Sequence, residues 1–258
     1  MPSNMSLSDS NCKILARAGA ASIAYYLTPG HTPTVVFMTG FMSDMSGGKA
    51  LALETMCRDR GQAFLRFDYS GHGLSEGEFA DGTIGSWAED ALFAIDSLTQ
   101  GPLILVGSSM GGWIMLLTAL ARADRIAGLV GIAPAPDFTD RLYHDELTEA
   151  QRAEMDRTGK VVVPSAYEDD YVFTRALIED GRDHFLLDGE IALDCPIRLI
   201  HGQQDDAVPW QTSLKIAEMA RSRDVEVTLV KGGDHRLSEL ADLERLTAIV
   251  RKLLDQAS

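Results

Sequence analysis

Short apolar runs recur along the chain and alternate with longer stretches of helical periodicity. Residues 34–38 (TVVFM), 63–67 (AFLRF), 103–106 (LILV), 126–132 (IAGLVGI), 197–200 (IRLI) and 225–230 (VEVTLV) are short, mostly apolar runs, several of them β-branched. Such runs fit strands buried on both faces of a parallel sheet. Residues 48–60, 83–99, 111–123, 211–221 and 239–254 carry apolar side chains every three or four positions, which predicts amphipathic helices. Strand alternating with helix builds βαβ units. The pattern therefore predicts an α/β fold, a mostly parallel central sheet with helices on both faces. The start departs from it: residues 12–17 and 21–27 flank Gly19-Ala20 and predict an antiparallel hairpin at the sheet edge.

One stretch breaks the alternation. Between Pro134 and Pro196 no central strand stands out; residues 142–157 are rich in helix formers, followed by 161–164 and 168–180. That is too long for a plain connection in a compact domain. It predicts a small, mostly helical cap, residues 135–195, inserted into a single domain spanning 1–258. Ligands of open α/β sheets sit outside the carboxyl ends of the strands, so a cap leaving a strand there is expected to cover the site.

Composition narrows the function. With 258 residues the chain is long enough for one large core. A formal net charge of -15 repels phosphate backbones and anionic membranes, so no nucleic-acid partner is expected. The polar stretch 1–12 carries no secretion signal, and no membrane span is visible. A cytoplasmic location is the expectation, or an organellar one if a targeting segment has been removed. Cys12, Cys57 and Cys195 are scattered and odd in number, which shows no disulfide framework and no metal-ligand spacing and suits a reducing compartment. No metal or organic cofactor is expected. No heptad or interface motif speaks to oligomeric state.

The candidate chemistry begins at Gly107-Ser108-Ser109-Met110-Gly111, which fits G-x-S-x-G. The pattern alone is common, but here it follows LILV and precedes the helical WIMLLTALA. A strand-to-helix turn of this kind lifts the serine hydroxyl above the sheet at a helix N-terminus. Ser109 is the predicted nucleophile; Ser108 occupies the variable slot. A serine hydroxyl needs a base. Of six histidines, His31 and His144 lie in polar stretches and His184 falls in the cap region. His72, in DYSGHGLS, reads as tying a loop together, and His201 reads as structural, beside the acid loop. His235 follows VEVTLV in a Gly232-Gly233 loop before the last helix, on the same sheet edge as Ser109, and is the predicted base. The acid belongs between serine and histidine in chain order, in PIRLIHGQQDDAVPW, where Asp205 and Asp206 both qualify on chemistry. Donors for a tetrahedral oxyanion are expected from the backbone N–H of Met110 and of Phe41, with Met42 as the alternative to Phe41. Met42, Met45 and Met110 are candidates for an adaptable acyl-chain wall, or equally for core filling.

GSSMGGW, RFDYSGHGLSEG, PIRLIHGQQDDAVPW and the late GGDHR together resemble the α/β-hydrolase superfamily. More narrowly they resemble its abhydrolase-domain palmitoyl-protein thioesterases, also described as mycophenolic acid acyl-glucuronide esterases, and their bacterial relatives. The resemblance runs from about Val35 to the last helix and is weakest in the cap. It implies the α/β-hydrolase fold, a triad of Ser109, Asp205 and His235, and action on small-molecule or acylated-protein esters and thioesters. The choice of Asp205 over Asp206 rests on this resemblance, through H-G-x-x-D-x-x-V-P. Thr39-Gly40 stands where many relatives carry His-Gly, a change that a backbone donor tolerates. Superfamily members with a carboxylate nucleophile are excluded by Ser109. Perhydrolases and carbon–carbon bond hydrolases keep the serine and stay open, as does a non-catalytic binding protein on the same scaffold.

Overall fold

The computed structural model describes residues 12–164 and 170–257. In chain order the elements are β1 (Lys13–Leu15), β2 (Ile23–Thr28), β3 (His31–Met38), α1 (Gly48–Arg60), β4 (Gln62–Phe67), α2 (Ile84–Leu98), β5 (Leu103–Ser108), α3 (Met110–Ala121) and β6 (Ile126–Ile132). Then come α4 (Phe138–Arg141), α5 (Glu149–Thr158), β7 (Lys160–Val163), β8 (Tyr171–Thr174), α6 (Arg175–Arg182), β9 (Ile197–Gly202), α7 (Gln211–Met219), β10 (Val225–Val230) and α8 (Leu240–Gln256). Eight strands form one sheet in the order β1-β2-β4-β3-β5-β6-β9-β10. The β1/β2 and β2/β4 pairs are antiparallel and the rest are parallel. The α/β hydrolase architecture expected from the sequence is present. The edge hairpin exists, with β1 only three residues long. Strand β3 starts three residues earlier than its apolar run, because the Gln62 side-chain amide donates to the carbonyls of His31 and Pro33 and holds that stretch against β4.

Side chains alternate across the sheet with the strand period of two. In β3, Val36 and Met38 face one core with Trp87 and Ile95 of α2 and Trp113 and Leu116 of α3. Val35 and Phe37 face the other, with Leu53 and Cys57 of α1 and Val250 and Leu254 of α8. Both faces are thus covered, which is why the runs read as continuously apolar. Strand order reverses at β3, which has β4 on one side and β5 on the other. This opens a crevice at the carboxyl ends of β3 and β5, where open α/β sheets bind their ligands.

The segment between β6 and β9 is more than helical. Helix α4 runs into one π-helical turn at Leu142–Glu146, and α5 is capped by a reciprocal box between Thr148 and Gln151. Strands β7 and β8 then pair antiparallel as a separate small sheet. The segment is helical for the most part, as expected, with this pair of strands added, and α6 begins only after Thr174, which caps it. The reason is visible in the residues. Val161-Val162-Val163 and Tyr171-Val172-Phe173 are β-branched or aromatic, and Val161 and Phe173 turn inward while Val162 stays exposed.

The loop after β3 is gripped from β4. Buried Arg66 pairs with Glu54 of α1 at 2.9 Å, donates to the Met45 carbonyl at 3.1 Å, and lies over the Tyr26 ring. Asp68 accepts from the N–H groups of Met45 at 2.7 Å and Leu74 at 2.8 Å. His72 is packed among the rings of Tyr69, Phe79 and Trp87. Burial pushes its imidazole down to about 4 and pushes the Asp68 carboxyl up to about 6.

Two predictions follow from this grip. Removing the Glu54 carboxylate strands the Arg66 charge, so Glu54→Ala should cost about 3 kcal/mol in urea unfolding at pH 7; a loss below 1 kcal/mol would show that the pair is solvated. His72 is neutral when folded at pH values where the unfolded chain binds a proton. Its contribution is complete above the ordinary histidine value and is lost as pH falls toward 4, while Asp68 acts in the opposite direction through 6. The stability difference between wild type and His72→Phe should therefore shift in favour of the wild type by about 3 kcal/mol from pH 4 to pH 7. A difference that stays flat with pH would rule this out.

Candidate active site

Ser109 sits between β5 and α3 with φ 55° and ψ -122°. A serine rarely adopts positive φ, and the turn holds it there by close backbone approach. A Cβ on Gly107 would lie 2.3 Å from the Gly111 carbonyl oxygen, and one on Gly111 would lie 2.2 Å from that of Met38. The Ser109 N–H donates to Ile132 O at 2.9 Å, and its carbonyl accepts from Gly112 and Ala135. The nucleophile candidate is thereby fixed from β3, β6 and the turn after β6.

His235 Nε2 lies 3.0 Å from Ser109 Oγ, and its Nδ1 lies 2.8 Å from Asp205 Oδ2. The structure thus brings together, from three separate strand ends, Ser109 and His235, which the sequence singles out, and Asp205, which the resemblance implies. Asp205 Oδ1 accepts the N–H groups of Ala207 at 2.9 Å and Val208 at 2.7 Å. Oδ2 also accepts from His201 Nε2 at 3.1 Å. Burial of the carboxyl opposes its ionisation, but the bonds from His201 and His235, His235's charge and the bond from Val208 outweigh it. Asp205 is held well below the usual carboxylate range. Asp206, chemically equal in the sequence, is exposed. Asp234 turns away to accept from Leu237 N–H at 2.9 Å.

The remaining candidates fall into place around this chain of bonds. His31 gives its carbonyl to Gln62, His144 faces Asp140 and His184 faces Asp180. Burial pushes the thiols of Cys57 and Cys195 up to about 12 and about 11, which removes them as nucleophiles at neutral pH. Met45 is fully buried with Ala24 and Tyr26, away from the site, whereas Met42 and Met110 line its cavity. Among the described residues no group of three or more His, Cys, Asp or Glu side chains is arranged to hold a metal ion. Nor is any described helix long and apolar enough to cross a membrane.

Met110 opens α3, where the first N–H groups have no intrahelical partner. The loop carrying Phe41 passes close by: a Cβ on Gly40 would lie 3.4 Å from Ser109 Cβ. The Phe41 ring stacks on Phe173 at 5.1 Å and meets Phe79, Trp87, Phe138 and Tyr171 edge-on. This aromatic cluster joins the loop after β3 to β8, a link with no signal in sequence spacing. Ser109 and His235 open into a cavity of ≈ 1410 Å³ whose apolar wall includes Phe41, Phe138, Leu142, Leu147, Tyr171 and Phe173.

A family model described as serine aminopeptidase, S33, matches residues 30–180, more than half of the chain. The mitochondrial palmitoyl-protein thioesterase ABHD10 of Mus musculus is 42% identical over 246 residues, covering 95% of this chain and 82% of that protein. Its Homo sapiens counterpart is 41% identical, with 95% and 80% covered. The solved structure of mouse alpha/beta hydrolase domain-containing protein 10 matches with a TM-score of 0.90 at 41% identity, covering 96% of this chain and 99% of that one. A putative hydrolase from Agrobacterium vitis S4 matches with a TM-score of 0.89 at 40% identity, covering 94% and 97%. The curated relatives at this identity are mitochondrial by name, which gives the cytoplasmic expectation no support. With its sheet topology, its Ser109 turn and these likenesses along nearly the whole chain, the protein belongs to the α/β-hydrolase superfamily and to the serine aminopeptidase S33 family, and is a hydrolase.

Proposed function

We propose that this hydrolase cleaves esters and thioesters of long apolar acids through an acyl-enzyme on Ser109. The observation that carries the reading is the unbroken chain of hydrogen bonds from Ser109 Oγ through His235 to Asp205, set at a cavity with one apolar wall. In this mechanism Ser109 Oγ attacks the acyl carbon while His235 Nε2 takes its proton. Asp205 keeps the Nδ1–H tautomer and balances the imidazolium. The N–H groups of Met110 and Phe41 receive the oxyanion. The imidazolium then protonates the departing alcohol or thiol, and a water, activated by the same imidazole, releases the acid and frees Ser109.

The substrate class follows from the wall. Segment 135–195, the proposed cap, supplies Phe138, Leu142, Leu147, Tyr171 and Phe173 to the cavity. At ≈ 1410 Å³ it exceeds the several hundred Å³ usual for small-molecule sites, leaving room for a long acyl chain. The relatives named palmitoyl-protein thioesterases support an acyl thioester among the substrates.

The test is steady-state hydrolysis of p-nitrophenyl esters from acetate to palmitate beside a palmitoyl thioester. Ser109→Ala should lower kcat by a factor on the order of 10⁶ with the unfolding midpoint unchanged; retained turnover would sink the reading. Long-chain esters should exceed acetate in kcat/KM. Asp205→Asn should cost about 10⁴ in kcat, while Asp206→Asn stays within about threefold. The reverse order would move the acid to Asp206.

A further inference from the structure

The Asp205 carboxylate is shared between two imidazoles, and the proposed mechanism uses one of them. His235 Nδ1 and His201 Nε2 both approach Oδ2, at 2.8 Å and 3.1 Å. Oδ1 is already occupied by the N–H groups of Ala207 and Val208. His201 is fully buried at the end of β9. Its Nδ1 lies 2.7 Å from the hydroxyl of Ser213 in α7, itself fully buried.

The partners assign the proton. Nε2 faces the Asp205 carboxylate and the Val208 carbonyl at 3.1 Å, both acceptors, so Nε2 carries the hydrogen. In the neutral ring Nδ1 then accepts from the Ser213 hydroxyl. The result is a second, inner line of hydrogen bonds, Ser213 to His201 to Asp205, meeting the line from Ser109 and His235 at one oxygen. Among the described residues the His201 ring is hydrogen-bonded to Asp205, Val208 and Ser213. Leu229 of β10 is its register partner, and on β6 Ile132 stands beside Ile200. Asp206 is exposed, and Asp234 is committed to Leu237 N–H.

We propose that His201, backed by Ser213, is a positioning residue of the reaction: it fixes the Asp205 carboxylate and limits how strongly that carboxylate pulls on His235. This rests on the triad reading above. A donor on Oδ2 draws off charge that otherwise stabilises the imidazolium of His235. The carboxylate is also held in the orientation that His235 needs. The low proton affinity of Asp205, held down against burial by the bonds from both His201 and His235, agrees with this.

The experiment measures kcat, KM and the pH profile of kcat/KM with p-nitrophenyl butyrate for wild type, His201→Leu, His201→Gln and Ser213→Ala. Loss of a hydrogen bond to a charged group corresponds to roughly ten- to hundredfold, so His201→Leu should lose about that in kcat with KM changed by less than threefold. Its acid limb should move to higher pH by about half a unit or more. His201→Gln, whose amide can still donate toward Oδ2, should recover most of the loss. Ser213→Ala should move the limb in the same direction by less. The low-field proton resonance of the His235 Nδ1–H should shift in His201→Leu, a readout independent of turnover. Folded His201→Leu with wild-type kcat and an unmoved acid limb overturns the inference, as does His201→Gln performing no better than His201→Leu. If His201→Leu does not fold, an unmoved acid limb in Ser213→Ala overturns it equally. Ser109→Ala in the same assay separates the layers: full turnover there defeats the triad reading itself, whereas an inactive Ser109→Ala beside an unaffected His201→Leu defeats this inference alone.

Discussion

The site depends on how closely four backbone segments approach one another around Ser109. Gly111 is pressed against the carbonyls of Met38 and Thr39, Gly107 against Gly111, Gly112 against Pro134 and Gly40 against Ser109. A Cβ at Gly107, Gly111 or Gly112 would have no room, whereas one at Gly40 would sit at ordinary contact distance from Ser109. These approaches are possible because β3 and β5 pair in parallel register up to the end of β3, with Met38 opposite Gly107. Ser109 is held at φ 55° by this framework, a conformation that costs energy and persists only where the surroundings over-determine it. Two cores, one on each face of the sheet, supply that rigidity.

Electrostatics around the site runs against the character of the chain. At a net charge of -15, an additional buried carboxylate is disfavoured by its neighbours as well as by desolvation. Asp68 and Asp90 show that outcome, with burial the largest influence in raising both. Asp205 escapes it because two backbone N–H groups and two imidazoles converge on its oxygens. The difference between these carboxylates is a matter of donor number and aim, since all three are aspartates in buried surroundings.

The loop after β3 is tied on two sides. Arg66 and Asp68 hold its far end through Met45, and Phe173 with Tyr171 of β8 clasp the Phe41 ring. Through this aromatic cluster the excursion between β6 and β9 both walls the cavity and steadies the peptide beside Ser109. Aromatic pairs of this kind contribute beyond their buried area, so the small sheet of β7 and β8 is packed into the site and is more than a surface ornament.

The sequence by itself determined the alternation of elements, the strand-to-helix turn at Ser109 and the loop of His235. Each is carried by local residues: apolar runs for buried strands, glycines where the backbone must pass closely, and Gly232-Gly233 before the histidine. It left Asp205 and Asp206 equal, because adjacent carboxylates in one loop have the same chemistry until a fold exposes one and buries the other. The β7–β8 pairing escaped it because helix formers in 142–157 set the expectation for the whole segment, while two four-residue strands gain their stability from pairing across the chain. His201 read as structural, and its bond to Asp205 is decided by the meeting of β9, the acid loop and α7. Tertiary structure alone decided which groups share an oxygen, which rings share a cluster and how large the cavity is, because hydrogen bonds and packing depend on distances between segments that sequence order does not encode.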